Sequence, residues 1–395
     1  MSISTEEGVG MDKLPSSNVP TSKELPATMA AVLLTGHGGL EKLEYRTDVA
    51  VPLPGDGEVL IQVAAAAINN TDINTRIGWY SKAVDSGTNA GGAAGFAEIT
   101  DSDAAWSGEA LTFPRIQGAD VAGRIVAVGA GVPEERIGER VLVRNMLRTY
   151  VGYRPYECWT FGSECDGGFA QFAAAPARET YAVNSDWSDA GLAAIPCAYS
   201  TAENMLHRAG VGAECVLVTG ASGGVGLAAV QLAKRRGATV TAVCSAEKAE
   251  QVRAEGADRT VDRGSDLVAE LGSNSFDVVI DMVGGSQAGQ LLELLRSGGR
   301  YAIAGAISGP LAQIDLRTIY LKDLSLLGCT FQEDEVFENL IGYIEANGIH
   351  PVVSKTYPLA DIARAQEDFL SKKHTGKLVL IPPAVNAANP NGTEI

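Results

Sequence analysis

The chain of 395 residues lacks the raw material of a stapled or metal-crosslinked fold. Its six cysteines stand apart at Cys158, Cys165, Cys197, Cys215, Cys244 and Cys329, with no C-x-x-C spacing. That pattern excludes a disulfide framework and a four-cysteine zinc lobe, and predicts reduced thiols in a cytoplasmic protein. Basic residues are also scarce: 31 Lys and Arg against 48 Asp and Glu leave a net charge of -17. Such a field repels phosphate backbones and anionic lipid, so neither nucleic acid nor a membrane surface is an expected partner. Long hydrophobic runs are missing too. The stretch LIQVAAAAI, from Leu60 to Ile68, falls far short of the ~20 residues a membrane helix needs. Residues 1–28 carry no apolar core and no Arg-rich amphipathic pattern, which excludes a secretory signal or transit peptide and predicts a disordered tail.

What is present belongs to a globular chain: 46% hydrophobic residues, 20% charged, and 45 glycines. The length exceeds the roughly 250–300 residues at which single cores stop growing, so two domains are expected. From residue 29, short strands with Pro and Gly punctuation predict a β-rich unit over 29–186. It is interrupted by a Gly/Ala/Asp-rich loop at 81–112 and by an irregular stretch at 144–164 rich in Tyr, Trp and Arg. From 187 to 350 short apolar runs alternate with helix-length segments, the pattern of βαβ units in a doubly wound parallel sheet. One helix-length run, LAAIPCAYSTAENMLHRAG, precedes the first of those strands. Residues 351–384 return to β-branched sequence and are expected to rejoin the first domain, and 385–395 form a second tail. The fold class is α/β.

One motif carries clear chemistry. The strand VLVT leads into Gly220-Ala-Ser222-Gly223-Gly224-Val225-Gly226 and then into LAAVQLAK. A strand, a Gly-rich turn and a helix in that order let the backbone approach a pyrophosphate at the helix N-terminus. NAD-preferring sites place an acid at the tip of the second strand, where this chain has Ser245. Lys248 and Arg263 follow, and either converge on a 2′-phosphate, selecting NADPH, or are solvated surface cations. Gly305, in RYAIAGA, is a further cofactor contact expected at the end of a later strand.

The chain resembles the medium-chain dehydrogenase/reductase superfamily over residues 29–383. The resemblance rests on the GASGGVG turn, Gly118-x-Asp120-x-x-Gly123 running into IVAVG, GER at 138–140, GGFAQF at 167–172, DMVGG at 281–285 and GKLVL near the end. Within it, the chain looks most like the zinc-independent quinone, alkenal and enoyl reductases, in a family broadly described as zinc-type alcohol dehydrogenase-like. This implies a GroES-like catalytic domain, a Rossmann dinucleotide-binding domain, a cofactor cleft between them and a homodimer, with the edge strand at 324–330 as the expected contact. The positions matching the catalytic zinc ligands of the alcohol dehydrogenases are Asn69, Ala119 and Cys197. One thiolate, even with Asp120 beside it, falls short of the three protein ligands catalytic zinc requires, so no metal is expected.

Asn69-Asn-Thr71-Asp72-Ile-Asn74 followed by Gly78-Trp-Tyr80 resembles the enoyl reductase segment whose G-x-Y tyrosine handles a proton. A phenol keeps its proton at neutral pH and can donate it. The resemblance therefore implies three roles: Tyr80 as proton donor, Asn69 as the partner of an enolate oxygen, and Thr71 as a relay hydroxyl. The expected activity is NADPH-dependent hydride transfer, without metal, to a quinone or to the C=C of an α,β-unsaturated carbonyl compound, with a small-molecule substrate as partner. The alternatives are an alcohol dehydrogenase or ketoreductase of the same superfamily and a non-catalytic NADPH-binding structural protein. The 81–112 loop is either a lid on the cleft or an uninvolved surface insertion. Tyr150, Tyr153, Tyr156 and Trp159 either wall the same pocket or pack down their own loop.

Overall fold

The computed structural model describes residues 25–97, 99 and 101–385. The outer parts of both expected tails, 1–24 and 386–395, lie outside the described residues.

The first half is built around the strand Glu58–Ala67, whose run of Val, Leu, Ile and Ala is buried along most of its length. It pairs antiparallel with Ala122–Val128, with Phe172–Pro176 and with Lys377–Ile381. The chain end thus closes the sheet begun by residues over 300 positions earlier, and Val353–Pro358 adds a further parallel strand outside it. Each fully buried Val, Leu or Ile in such a sheet contributes about 1.5–3 kcal/mol. That burial offsets the entropy of tying together such distant segments.

The second half is a six-stranded parallel sheet. Its order is Arg259–Asp262, Thr239–Cys244, Cys215–Val218, Phe276–Asp281, Leu295–Ile303 and Ser325–Gly328. In chain order this reads 3-2-1-4-5-6, the arrangement that leaves a ligand crevice at the carboxyl ends of strands one and four. The buried cores of the two halves, a GroES-like domain and a Rossmann domain, are composed chiefly of aliphatic side chains.

Two local readings change in the structure. The helix-length run before the first parallel strand is two helices, Asp189–Ala193 and Pro196–Arg208, because Pro196 cannot continue the first helix and instead opens the second. The 144–164 stretch contains a short hairpin, Met146–Leu147 against Trp159–Thr160. Among the described residues no helix is long and apolar enough to cross a membrane.

Candidate functional site

The Gly-rich turn sits at the crevice, and its geometry demands glycine at two points. Gly220 has φ +56°, and a Cβ on Gly226 would lie 2.3 Å from the Gly220 carbonyl oxygen. Helix Gly224–Arg235 starts here, aiming its first-turn N–H groups at the crevice. Gly305 approaches from the neighbouring strand, so close that a Cβ would lie 2.9 Å from the Met282 carbonyl oxygen. Ser222 and half-buried Val225 complete the turn. The Ser222 carbonyl accepts the Gly376 N–H at 3.1 Å, so the nucleotide turn is hydrogen-bonded to the approach of the last catalytic-domain strand.

A cationic rim lies beyond the second parallel strand. Ser245 occupies the strand tip, and the nearby carboxylate of Asp262 accepts the N–H groups of Ala246 (2.9 Å) and Gly264 (2.8 Å). The Lys248 ammonium donates to the carbonyls of Lys372 (2.7 Å) and His374 (2.6 Å), which fixes the 372–376 loop beside it. Burial and the neighbouring Arg263 guanidinium lower the Lys248 pKa. Lys372 is held down to about 8 by burial and by Lys248, while its ammonium lies 4.4 Å from the Phe369 ring centroid. Among the described residues none of these three cations is paired with a carboxylate. A multiply charged phosphate would relieve that repulsion.

The segment bearing the G-x-Y motif begins as the helix Asn70–Ile77. It stops at Gly78, whose φ of +72° is the left-handed cap that turns Trp79 and Tyr80 back over the helix. The Tyr80 and Thr71 hydroxyls meet at 3.0 Å. Burial pushes the Tyr80 phenol well above its usual range, an effect only partly offset by hydrogen bonds with Thr71 and Asn74. Two indoles pack edge-on against the phenol, Trp79 at 5.7 Å and Trp106 at 4.9 Å between centroids.

Beneath this hydroxyl pair is a buried polar centre. The Lys377 ammonium, at the start of the last strand of the first-domain sheet, donates to the Asn69 carbonyl oxygen and, at 3.0 Å, to Asp120. Both charged side chains are buried, at 4% and 0% exposure. Asp120 also accepts the Asn69 amide (2.7 Å) and the Cys197 backbone N–H (2.6 Å). Asp72 accepts the backbone N–H groups of Asn69 (2.7 Å) and Ala119 (3.3 Å). Burial raises Asp72 to about 7, with the Asp120 charge adding to the shift and Lys377 opposing it. The Lys377 stem lies against the start of the nucleotide helix: a Cβ on Gly224 would come within 2.7 Å of its Cδ.

This arrangement bears on two expectations. Asn69 directs its amide N–H donors at Asp120 and at the Ala67 carbonyl (3.3 Å), leaving none for an enolate oxygen. Of the two readings of the 144–164 aromatics, their contacts fit packing. Tyr150 donates to Glu58 at 2.6 Å and packs on Trp159, while Tyr153 and Tyr156 stack with Arg148, Arg178, Arg208 and Phe331. The sequence reading passed over Lys377, Lys372 and Trp106. Lys377 was visible only as part of GKLVL, a strand motif in which an ammonium buried beside a carboxylate 257 residues away has no local signal.

Comparison with known proteins follows the same division of the chain. Residues 55–185 match the alcohol dehydrogenase GroES-like domain, and residues 224–346 match a family described as zinc-binding dehydrogenase. A quinone oxidoreductase from Lama guanicoe is 31% identical over 89% of this chain and 97% of its own length. An acryloyl-coenzyme A reductase from Metallosphaera sedula is 30% identical over 89% of this chain and 99% of its own. A crystal structure from Sinorhizobium meliloti 1021, provisionally named an alcohol dehydrogenase, superposes with TM-score 0.80 at 45% identity, covering 91% of this chain and 98% of that one. End-to-end similarity of this kind, on top of a shared two-domain topology and a dinucleotide turn, makes the chain an oxidoreductase of the medium-chain dehydrogenase/reductase superfamily, in its quinone oxidoreductase-like branch.

Proposed function

We propose that this protein transfers hydride from NADPH to a quinone or to the C=C of an α,β-unsaturated carbonyl compound, without a metal. The observation carrying this reading is the Tyr80–Thr71 hydroxyl pair at 3.0 Å, held under aromatic cover beside the crevice. Gly220, Ser222, Gly223, Gly224, Val225 and Gly226 would hold the pyrophosphate, with Gly305 flanking it. Ser245, Lys248, Arg263 and, beyond the sequence reading, Lys372 would hold the 2′-phosphate.

Reduced nicotinamide supplies the hydride when the cofactor is bound. The chain must then manage the negative charge that develops on the substrate oxygen and the proton that follows. Burial raises the Tyr80 pKa, so the phenol is protonated at neutral pH and can donate a hydrogen bond to the oxygen on which charge develops; proton transfer follows only as that oxygen becomes strongly basic. Thr71 orients that hydroxyl; Tyr80 gives its proton to the enolate formed by hydride addition, and the phenolate left behind regains a proton from solvent by way of the Thr71 hydroxyl.

The zinc that the family description implies does not suit this centre. The matching positions hold an amide, a methyl group and a thiol, and burial with the neighbouring Asp120 charge raises the pKa of the Cys197 thiol. The nearest carboxylate already carries the Lys377 ammonium, a cation that would repel a metal ion at close range. Carbonyl-to-alcohol reduction, the rival reading, loses its usual Lewis acid there.

Two further readings go with this one. The outer edge of Ser325–Gly328 ends the parallel sheet, and Leu316, Tyr320, Leu321 and Leu326 lie exposed near it, a face suited to a second copy of the chain. The six cysteines are free thiols, in keeping with a cytoplasmic location. The test is NADPH oxidation by exhaustively chelated protein against quinones, enones, enals and enoyl thioesters. Turnover of at least one conjugated class supports the assignment. Activity that appears only on adding zinc, and only with simple ketones, overturns it.

A further inference from the structure

The 81–112 insertion is bound to both halves of the molecule. At one end the Thr88 N–H donates to the Ile307 carbonyl (3.1 Å), on the loop following the Rossmann strand Leu295–Ile303. Gly87 lies so near the same carbonyl that a Cβ would stand 2.5 Å away. The buried Thr88 hydroxyl donates to Asn74 (2.9 Å), on the helix that bears Thr71. Nearby, the Trp79 indole N–H donates to the Ser86 carbonyl at 2.9 Å. At the other end the Ser107 N–H donates to Glu164 (2.8 Å), whose second oxygen accepts the Thr160 N–H (2.8 Å). Asp103 accepts the Lys82 N–H at 3.0 Å, closing the segment on itself.

Between these ties Ala104 and Ala105 are buried, and Trp106 sets its indole against the Tyr80 ring at 4.9 Å and 76°. The insertion's described residues on either side, 81–97 and 101–112, are fastened to the site at these points. They leave the Tyr80 phenol clasped between Trp79 and Trp106 with its hydroxyl on Thr71. A substrate oxygen held by the Tyr80 hydroxyl would bring the rest of that substrate within reach of the Trp106 ring. A flat conjugated molecule meets that ring with π contact, whereas a long flexible alkyl chain must displace it.

We propose that Trp106 is a specificity-determining residue, selecting compact planar conjugated carbonyl compounds, quinones and aryl enones, over long-chain aliphatic enals and enoyl thioesters. This rests on the hydride-transfer reading above, and the experiment separates the two. The NADPH-dependent kcat/KM of wild type, Trp106→Leu and Trp106→Phe is measured with 2-methyl-1,4-naphthoquinone, 4-phenylbut-3-en-2-one and 2-decenal. Wild type is expected to prefer the two planar substrates. Trp106→Leu should shift the planar-to-decenal ratio at least 10-fold toward decenal, and Trp106→Phe, which keeps a ring, should restore most of the wild-type order. An unchanged ratio in a Trp106→Leu protein that melts and binds NADPH like wild type overturns the proposal. In parallel, the naphthoquinone is titrated onto NADP⁺-loaded enzyme while tryptophan emission is followed. Quenching that disappears in Trp106→Phe supports contact with the indole, and quenching identical in both proteins overturns it. Should wild type oxidise NADPH with none of the substrates, the reaction assignment fails while the quenching experiment still decides the placement of Trp106.

Discussion

Two charged regions flank the crevice, and they are built on opposite terms. In the buried centre every charge has an internal partner: Lys377 is shared between Asn69 and Asp120, Asp120 also holds the Cys197 N–H, and Asp72 holds two backbone N–H groups. On the rim, Lys248, Arg263 and Lys372 form no ion pair among the described residues; Lys248 donates to two carbonyls, and Lys372 is held down to about 8 by burial and, after it, by the Lys248 charge. A satisfied buried network fixes geometry, and a cluster of like charges without a counter-ion favours an anionic ligand. Through the Cys197 N–H on Asp120 and the Lys377 stem against Gly224 the centre joins the two domains, and the rim is where the proposed 2′-phosphate would bind.

The sharpest way to break that contrast is to remove the joint. Lys377→Met leaves Asp120 buried and unpaired, and breaking a buried pair in this way costs about 3–5 kcal/mol. Denaturant unfolding should show that loss, and Lys377→Met combined with Asp120→Asn should recover much of it. A single variant as stable as wild type would mean that the pair contributes nothing.

Asp72 gives the centre a pH signature. Its folded pKa, about 7, lies above its ordinary value of 3.8, so the folded state holds the proton more tightly. The associated stability is present in full below about pH 4, is lost as pH rises toward 7, and is on the order of 4 kcal/mol over that window. Asp72→Asn removes this dependence. Relative to wild type, the variant should gain stability between pH 5 and pH 8 in urea titrations, and a difference that stays constant with pH would contradict the assignment.

The rim predicts a smaller effect of another kind. Lys372→Ala should weaken NADPH binding by the worth of one charge-assisted hydrogen bond, about 1.5–3 kcal/mol or roughly 10- to 150-fold, and leave NADH binding unchanged. Fluorescence titration of both cofactors checks this. Equal weakening of NADPH and NADH would place Lys372 away from the 2′-phosphate.

The two regions also differ in how far the sequence exposed them. The positions of Lys248 and Arg263 were legible because each follows a strand tip at a spacing set by the βαβ repeat, and that of the Gly220–Gly226 turn because its strand and helix lie next to it in sequence. Lys377 and Lys372 were not, since their partners come from chain closure: Lys377 meets Asn69 only after the last strand returns to pair beside Glu58–Ala67. Asn69 was noticed for its place in a motif, yet its orientation is decided by Asp120 and Lys377, which local spacing does not report. Trp106 was hidden for a similar reason, in an insertion without periodicity whose path is fixed by single contacts to Ile307 and Glu164.

The central claim, hydride transfer to a conjugated carbon with Tyr80 handling the proton, is tested most directly by following a label. Chelated enzyme is given 4-phenylbut-3-en-2-one and NADPH deuterated on the transferred position, and the product is analysed by NMR, with Tyr80→Phe run alongside. The account predicts deuterium at the carbon β to the carbonyl, the ketone left intact, and a 10²- to 10⁴-fold fall in kcat/KM for Tyr80→Phe. Deuterium on a carbinol carbon, or a Tyr80→Phe enzyme as fast as wild type, would contradict it.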